Sequence, residues 1–115
     1  MSDIARSLRE REQAFEARFK LEEEQAFKHR ARRDYLFGLE VGTMMGYKGQ
    51  AAHDYALNLT KMDTQFPTDD TLLRRVSLDL TTKGHTPDLS VLTDLLDSMT
   101  HQAHRDLMNQ SFPHG

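Results

Sequence analysis

Three groups of side chains carry whatever chemistry this sequence could perform. The first is Lys28-His29-Arg30-Ala31-Arg32-Arg33, which puts positive charge around most of a helix circumference. Guanidinium forks match phosphate oxygens, so Arg32 and Arg33 are the candidate residues for a phosphate or nucleotide. A solvated basic face and nucleic-acid binding are the other readings of the run. The last of these calls for a broader basic surface and base-stacking aromatics than the chain offers. The second group is His101 and His104, three apart, with Asp97 one turn earlier. Three ligands on one short helix rarely hold a metal, and no Glu-x-x-His pair accompanies them, so no metal site is expected. The third is Asp94, Asp97 and Asp106, which read as the polar face of an amphipathic helix rather than as an acid–base pair. Cysteine is absent, which removes thiolate nucleophiles, thiolate metal sites and disulfides. No nucleophile elbow and no GxxxxGK[ST] loop occurs. The expectation is a protein with no catalytic residue, one that binds rather than an enzyme.

The element that must position the basic run is Ala14 to Gly46. It has no proline, no glycine before Gly38, and a stripe of Phe27, Ala31, Gly38, Val41 and Met45 broken only by Asp34. That spacing predicts one long helix. It would reach roughly 50 Å, against about 24 to 33 Å for the later helices, so one end must overhang. The N-terminal end is the thinner in apolar residues. Phe15 and Phe19 lie one turn apart there, with Leu8 two turns before Phe15. Such a narrow stripe either packs on the protein's own core or anchors in a groove on another protein. Met1 to Arg9 shows no sustained pattern and is expected to fray. Gly38 and Gly42 at i, i+4 predict close approach of a neighbouring helix, and Gly46 a helix cap.

Three further helices follow. Gln50 to Phe66 carries Ala52, Tyr55, Leu59, Met62 and Phe66 at alternating three and four spacing, and Pro67 stops it. Thr68 is placed to cap a third helix burying Leu72, Leu73, Val76 and Leu80, ending at Lys83-Gly84. Thr86-Pro87 restarts a fourth, with Asp88 the rival cap, presenting Leu89, Leu92, Leu96, Met99, Ala103 and Leu107. No strand pattern occurs. The expected fold is an all-α four-helix bundle over 20–109, with a flexible or partner-ordered N-terminal arm over 1–19 and a tail over 110–115. The formal charge of −3 is bipolar: Met1 to Arg33 holds nine basic against seven acidic residues, and the rest six against eleven. Weak bipolarity suits a mixed-charge protein surface. No apolar run is long enough to span a bilayer and no signal-peptide core is evident, so a cytoplasmic protein is expected.

The run Arg11-Glu12-Gln13-Ala14-Phe15-Glu16-Ala17-Arg18-Phe19, then Phe27-Lys28, Ala31-Arg32-Arg33, Leu36, Gly38-Leu39 and Gly46, resembles the zeta subunit (ATPase inhibitor) family of alphaproteobacterial F-type ATP synthases. Tyr55-Ala56, Lys61-x-Asp63, Leu73-Arg74-Arg75-Val76, Asp79-Leu80 and Leu95-Leu96 extend the resemblance, which covers about Leu8 to Leu107. The sequence departs from that family's pattern at Asp34-Tyr35, where Asn-Lys is usual, and at Leu8-Arg9-Glu10 and Thr64-Gln65-Phe66. The resemblance implies an inhibitor of ATP hydrolysis, peripheral on the membrane-bound ATP synthase. Its arm would insert at an alpha/beta interface of the catalytic head near the gamma subunit. Leu8, Arg11, Glu12, Phe15, Arg18 and Phe19 are then the partner-binding residues. The resemblance also implies ADP or ATP as a regulatory ligand, for which Arg32 and Arg33 are the chemically suited positions. A nucleotide-responsive module with a different protein partner is the alternative.

Overall fold

A computed structural model describes residues 2–110, and Met1 and the segment 111–115 that holds most of the expected tail lie outside them. Four helices form: α1 (Ser2–Met44), α2 (Gln50–Gln65), α3 (Asp69–Thr82) and α4 (Leu89–Gln110). The protein is an all-α bundle with a long first helix. Helix α1 runs antiparallel to α2, as Gly42 lies beside Ala52, Gly38 beside Ala56 and Arg30 beside Asp63. It also packs on α4, while α3 closes the bundle against α2 and α4.

Where α1 leaves the bundle is read from exposure. Every residue from Asp3 to Lys28 is exposed, and burial starts at His29. That leaves about 40 Å of bare helix. The radius of gyration, 19.3 Å, exceeds the roughly 13 Å of a compact chain this long, and the longest dimension is 72 Å. Residues 3–19 of the expected arm fall inside this exposed stretch, and Met1 lies outside the described residues. Helix α1 starts at Ser2, with Asp3 in its positively polarised first turn and an Arg6–Glu10 pair at 3.5 Å.

At its other end α1 is closed by Gly46, whose φ of 90° admits the left-handed conformation that ends a helix. The amide of Tyr47 then donates to the Gly42 carbonyl at 2.9 Å and that of Gly46 to Thr43 at 3.0 Å, satisfying two carbonyls the helix leaves over. The same closure recurs at Gly84, after α3. Thr68 caps α3 by accepting from the Thr71 amide at 3.1 Å. At α4 it is Asp88, not Thr86, that caps. Its carboxylate accepts from the amides of Ser90 and Val91 at 2.9 and 3.4 Å, and Pro87 falls before the helix rather than in its first turn.

The core is Phe37 and Val41 of α1, Leu59 of α2, Leu72, Val76 and Leu80 of α3, and Leu92 and Leu96 of α4. On α2 the buried line is Ala52, Ala56, Leu59 and Asp63. It is turned from the expected one: Tyr55 and Met62 sit at its edge, and Phe66 is exposed. The reason is the contact between Gly38 and Ala56, which points Ala56 straight at α1. Phe66, at φ −132°, has already left the helix.

A Cβ added at Gly38 would lie 2.6 Å from Ala56 Cα and 3.0 Å from Ala56 Cβ. Backbone cannot yield as a side chain does. Gly38→Ala gains about 1 kcal/mol of helix propensity but must push α1 and α2 apart, at a cost of about 1 to 3 kcal/mol. The expected outcome is a net loss of up to about 2 kcal/mol in urea denaturation at unchanged m-value, and a gain in stability would refute the close-approach reading.

Candidate functional site

Two regions remain once the core is accounted for: the bare arm, and the charged joint at its root. On the arm, Phe15 and Phe19 are 71% and 55% exposed, with Glu16, Lys20 and Glu23 around them. At about 100° per residue, Ile4 and Leu8 fall within roughly 20° of Phe15, and Phe19 about 40° away. The four make one apolar line along an otherwise charged helix, and all are exposed. Arg11, Glu12 and Arg18 stand about 40° to 60° to either side of Phe15. The six residues expected to bind a partner therefore share one side of α1. Ile4 belongs with them; its signal was the four-residue step to Leu8.

The joint lies where α1 first touches the bundle. Arg30 donates through Nε and Nη2 to the two oxygens of Asp63 at 2.6 and 2.9 Å, and through Nη2 to Asp69 at 3.1 Å. Arg33 grips Asp34 Oδ1 at 2.9 and 3.1 Å and reaches Asp69 at 3.0 Å. Asp34 and Asp63, each 1% exposed, line one cleft with Phe27, Ala31, Thr64 and Pro67. Burial pushes the Asp34 carboxyl up, and the nearby Asp63 adds to the rise against the pull of Arg33, taking it to about 8. Burial would raise Asp63 too, but the hydrogen bonds from Arg30 and the two guanidinium charges outweigh it and hold Asp63 below the usual range.

On the α4 side, Arg32 donates to Asp106 at 2.9 and 3.0 Å, and the amide of Gln102 donates to the other oxygen of Asp106 at 2.8 Å. Those two bonds, Gln102 first, keep Asp106 below the ordinary carboxylate range. The His29 and His104 rings stack with centroids 5.2 Å apart.

Arg32 and Arg33 are thus not brought together. One faces α4 and the other the corner between α2 and α3, and each already holds a carboxylate. A phosphate would have to displace Asp106 from the first or enter a buried pair at the second. Among the described residues no three His, Asp or Glu side chains gather as metal ligands. Arg30 was read only as part of the basic run and Asp63 only within the family pattern, and neither was expected to meet Asp69 at a site. The one local signal was Asp34 interrupting an apolar stripe.

The bundle thus sends out a long, charged helix with an exposed apolar line along it. Residues 5–106 match the family model of ATPase inhibitor subunit zeta, and this chain belongs to that family. It is a family of inhibitor subunits, regulatory rather than catalytic. Neither a search of curated proteins nor one of solved structures finds a match. Among the described residues no helix is long and apolar enough to cross a membrane.

Proposed function

We propose that this protein inhibits ATP hydrolysis by an F-type ATP synthase, its arm entering an alpha/beta interface of the catalytic head beside the gamma subunit and blocking rotation. The observation that carries the reading is the stretch from Asp3 to Lys28, helical and wholly exposed on a member of an ATPase inhibitor family. Apolar side chains held out on a rigid helix have surface to bury and little ordering entropy left to lose. Burying a Phe side chain contributes about 1.5 to 3 kcal/mol, so two rings together offer about 4 kcal/mol. Arg11, Glu12 and Arg18 beside the rings set register and exclude wrong partners. No chemistry is required of the protein: a wedge in a rotary interface acts by occupying space.

The test is ATP hydrolysis by the isolated catalytic head with the full chain and with a chain lacking residues 1–19. Because packing starts at His29, the shortened chain should keep its bundle intact by circular dichroism and thermal melting. Inhibition by the full chain alone is the expected result. Inhibition by both would move the site to the bundle, and inhibition by neither would overturn the reading.

Adenine nucleotide as a regulatory ligand is a subordinate proposal, and the carboxylate partners of Arg32 and Arg33 weigh against it. It calls for amide shifts around those two residues when ADP is titrated in, lost when both are replaced.

A further inference from the structure

The apolar line on the arm has the same spacing read in either direction. Ile4 and Leu8 stand four apart, Phe15 and Phe19 stand four apart, and the midpoint of all four falls between Arg11 and Glu12. Those two residues flank the midpoint on opposite edges of the line, one basic and one acidic. A helix face symmetric about its own middle fits a second copy of itself laid antiparallel, since a two-fold axis brings the same patch on each chain together. All four apolar side chains are available, from 54% exposed for Leu8 to 71% for Phe15.

With the axis through that midpoint, Ile4 of one copy faces Phe19 of the other and Leu8 faces Phe15, each layer occurring twice. Every layer sets a ring against an aliphatic side chain. The two Arg11 and two Glu12 side chains gather at the axis as a neutral group of four. Along one edge Arg9 comes between Glu12 and Glu16 of the second copy, and opposite charges at such edges fix partner and orientation in paired helices. The second helix starts at Ser2, opposite Leu21, so Glu22, Glu23 and Glu24 stand just beyond its first turn, where unpaired amides carry positive partial charge. Sliding either copy by one turn sets Phe15 against Glu12 or Leu8 against Arg11, so the pattern selects one register.

The lengths permit the pairing. Bundle packing begins at His29, so the stretch from Glu22 to Lys28 keeps about 10 Å of helix between each bundle and the tip of the other arm. The arm cannot cover its own line instead, because α1 runs unbroken from Ser2 to Met44 with no glycine or proline before Gly38 at which to fold back.

We propose that two copies of this chain pair through their arms, antiparallel about the Arg11–Glu12 midpoint, burying Ile4, Leu8, Phe15 and Phe19 in a two-helix seam. The seam is short, about 16 residues or 24 Å per helix, and association must first offset lost translational and rotational freedom, so the dimer is weak and forms with rising concentration. Phe15 and Phe19 are covered in it. A paired arm is therefore closed to any other docking site, and dilution frees it. The pairing rests on the arm's own pattern and needs no catalytic head, so it stands or falls apart from the inhibitor reading.

The experiment is sedimentation velocity of the full chain from about 1 to 500 µM, with single-cysteine variants under mild oxidation. The average mass should climb from 13.3 kDa towards twice that, with a Kd on the order of 10 to 100 µM. Phe15→Ala should raise that Kd roughly a hundredfold or more, because each substitution acts twice in a symmetric pair. The chain has no cysteine, so each introduced thiol reports one position. The two copies of residue 12 lie beside the axis, and Glu12→Cys should give a disulfide-linked dimer. The two copies of residue 4 lie about 22 Å apart, so Ile4→Cys should not, whereas Ile4→Cys mixed with Phe19→Cys should cross-link. A mass of 13.3 kDa across the whole range overturns the proposal. So does a dimer unaffected by Phe15→Ala, which would place the contact elsewhere, or Ile4→Cys linking to itself as readily as Glu12→Cys does, which would mean parallel arms.

Discussion

Phe37→Ala is expected to lower the free energy of unfolding by about 3 to 5 kcal/mol. Phe37 is 0% exposed and heads the fully buried side chains by volume. It sits in one cluster with Val41, Leu59, Leu72, Val76, Leu80, Leu92 and Leu96, drawn from all four helices. Truncation there removes the transfer free energy of a benzyl group and leaves a void that four helices border. Collapse into it is blocked on one side by the backbone contact of Gly38 with Ala56, which already fixes how closely α1 and α2 can lie. A domain of this size has about 5 to 15 kcal/mol in all, so the variant would be marginal at room temperature. Urea denaturation followed by tyrosine fluorescence reports it cleanly, because Tyr35, Tyr47 and Tyr55 all lie in the bundle and the arm has none. A loss below about 1 kcal/mol would mean the core is centred elsewhere.

Phe37 also marks the limit of what spacing could reveal. The stripe through Ala31, Gly38, Val41 and Met45 traces the side of α1 that meets α2. In the bundle α1 has α4 as a second neighbour, so its buried arc is wider and takes in Phe37 and Arg33. A single-line periodicity argument cannot see a second neighbour. The caps were legible because they are local: Gly46, Thr68 and Gly84 act within a few residues of themselves. Between Thr86 and Asp88, two good capping residues stood two apart, and only the geometry chose.

The joint was the least legible part, for a different reason. Lys28 to Arg33 was readable as charge all round a helix, and that is how it is placed: Arg30 and Arg33 toward the α2–α3 corner, Arg32 toward α4. What answers that charge is Asp63, Asp69 and Asp106, on three other helices and 33 to 74 residues along the chain. Each of these looks locally like an ordinary polar-face or first-turn acid. Asp63 falls four residues after Leu59, on the buried line, and only tertiary contact shows that a carboxyl rather than a leucine belongs there. The overhang, by contrast, followed from lengths alone, since a helix this long cannot be covered by partners of 14 to 22 residues.

Phe15→Ala and Phe19→Ala together are expected to weaken binding to the catalytic head by about 4 kcal/mol, a roughly thousandfold rise in Kd. Both rings stand in solvent on the stretch of α1 that is exposed throughout, so the free protein has no bundle contact to lose. Its stability should move by less than about 0.5 kcal/mol. That separation is what makes the pair informative: Phe37 tests the fold without the partner, and Phe15 with Phe19 test the partner without the fold. Phe27→Ala supplies the control. Phe27 is also exposed, but it points about 120° away from Phe15 around the helix, off the line through Ile4 and Leu8. If the arm docks through that line, Phe27→Ala should cost under about 1 kcal/mol of affinity, far less than the pair. Equal losses for all three rings would mean the arm is enclosed on every side, as in a closed channel. No loss for the pair would remove Phe15 and Phe19 as anchors, and with them the reason the exposed line runs along this face of α1.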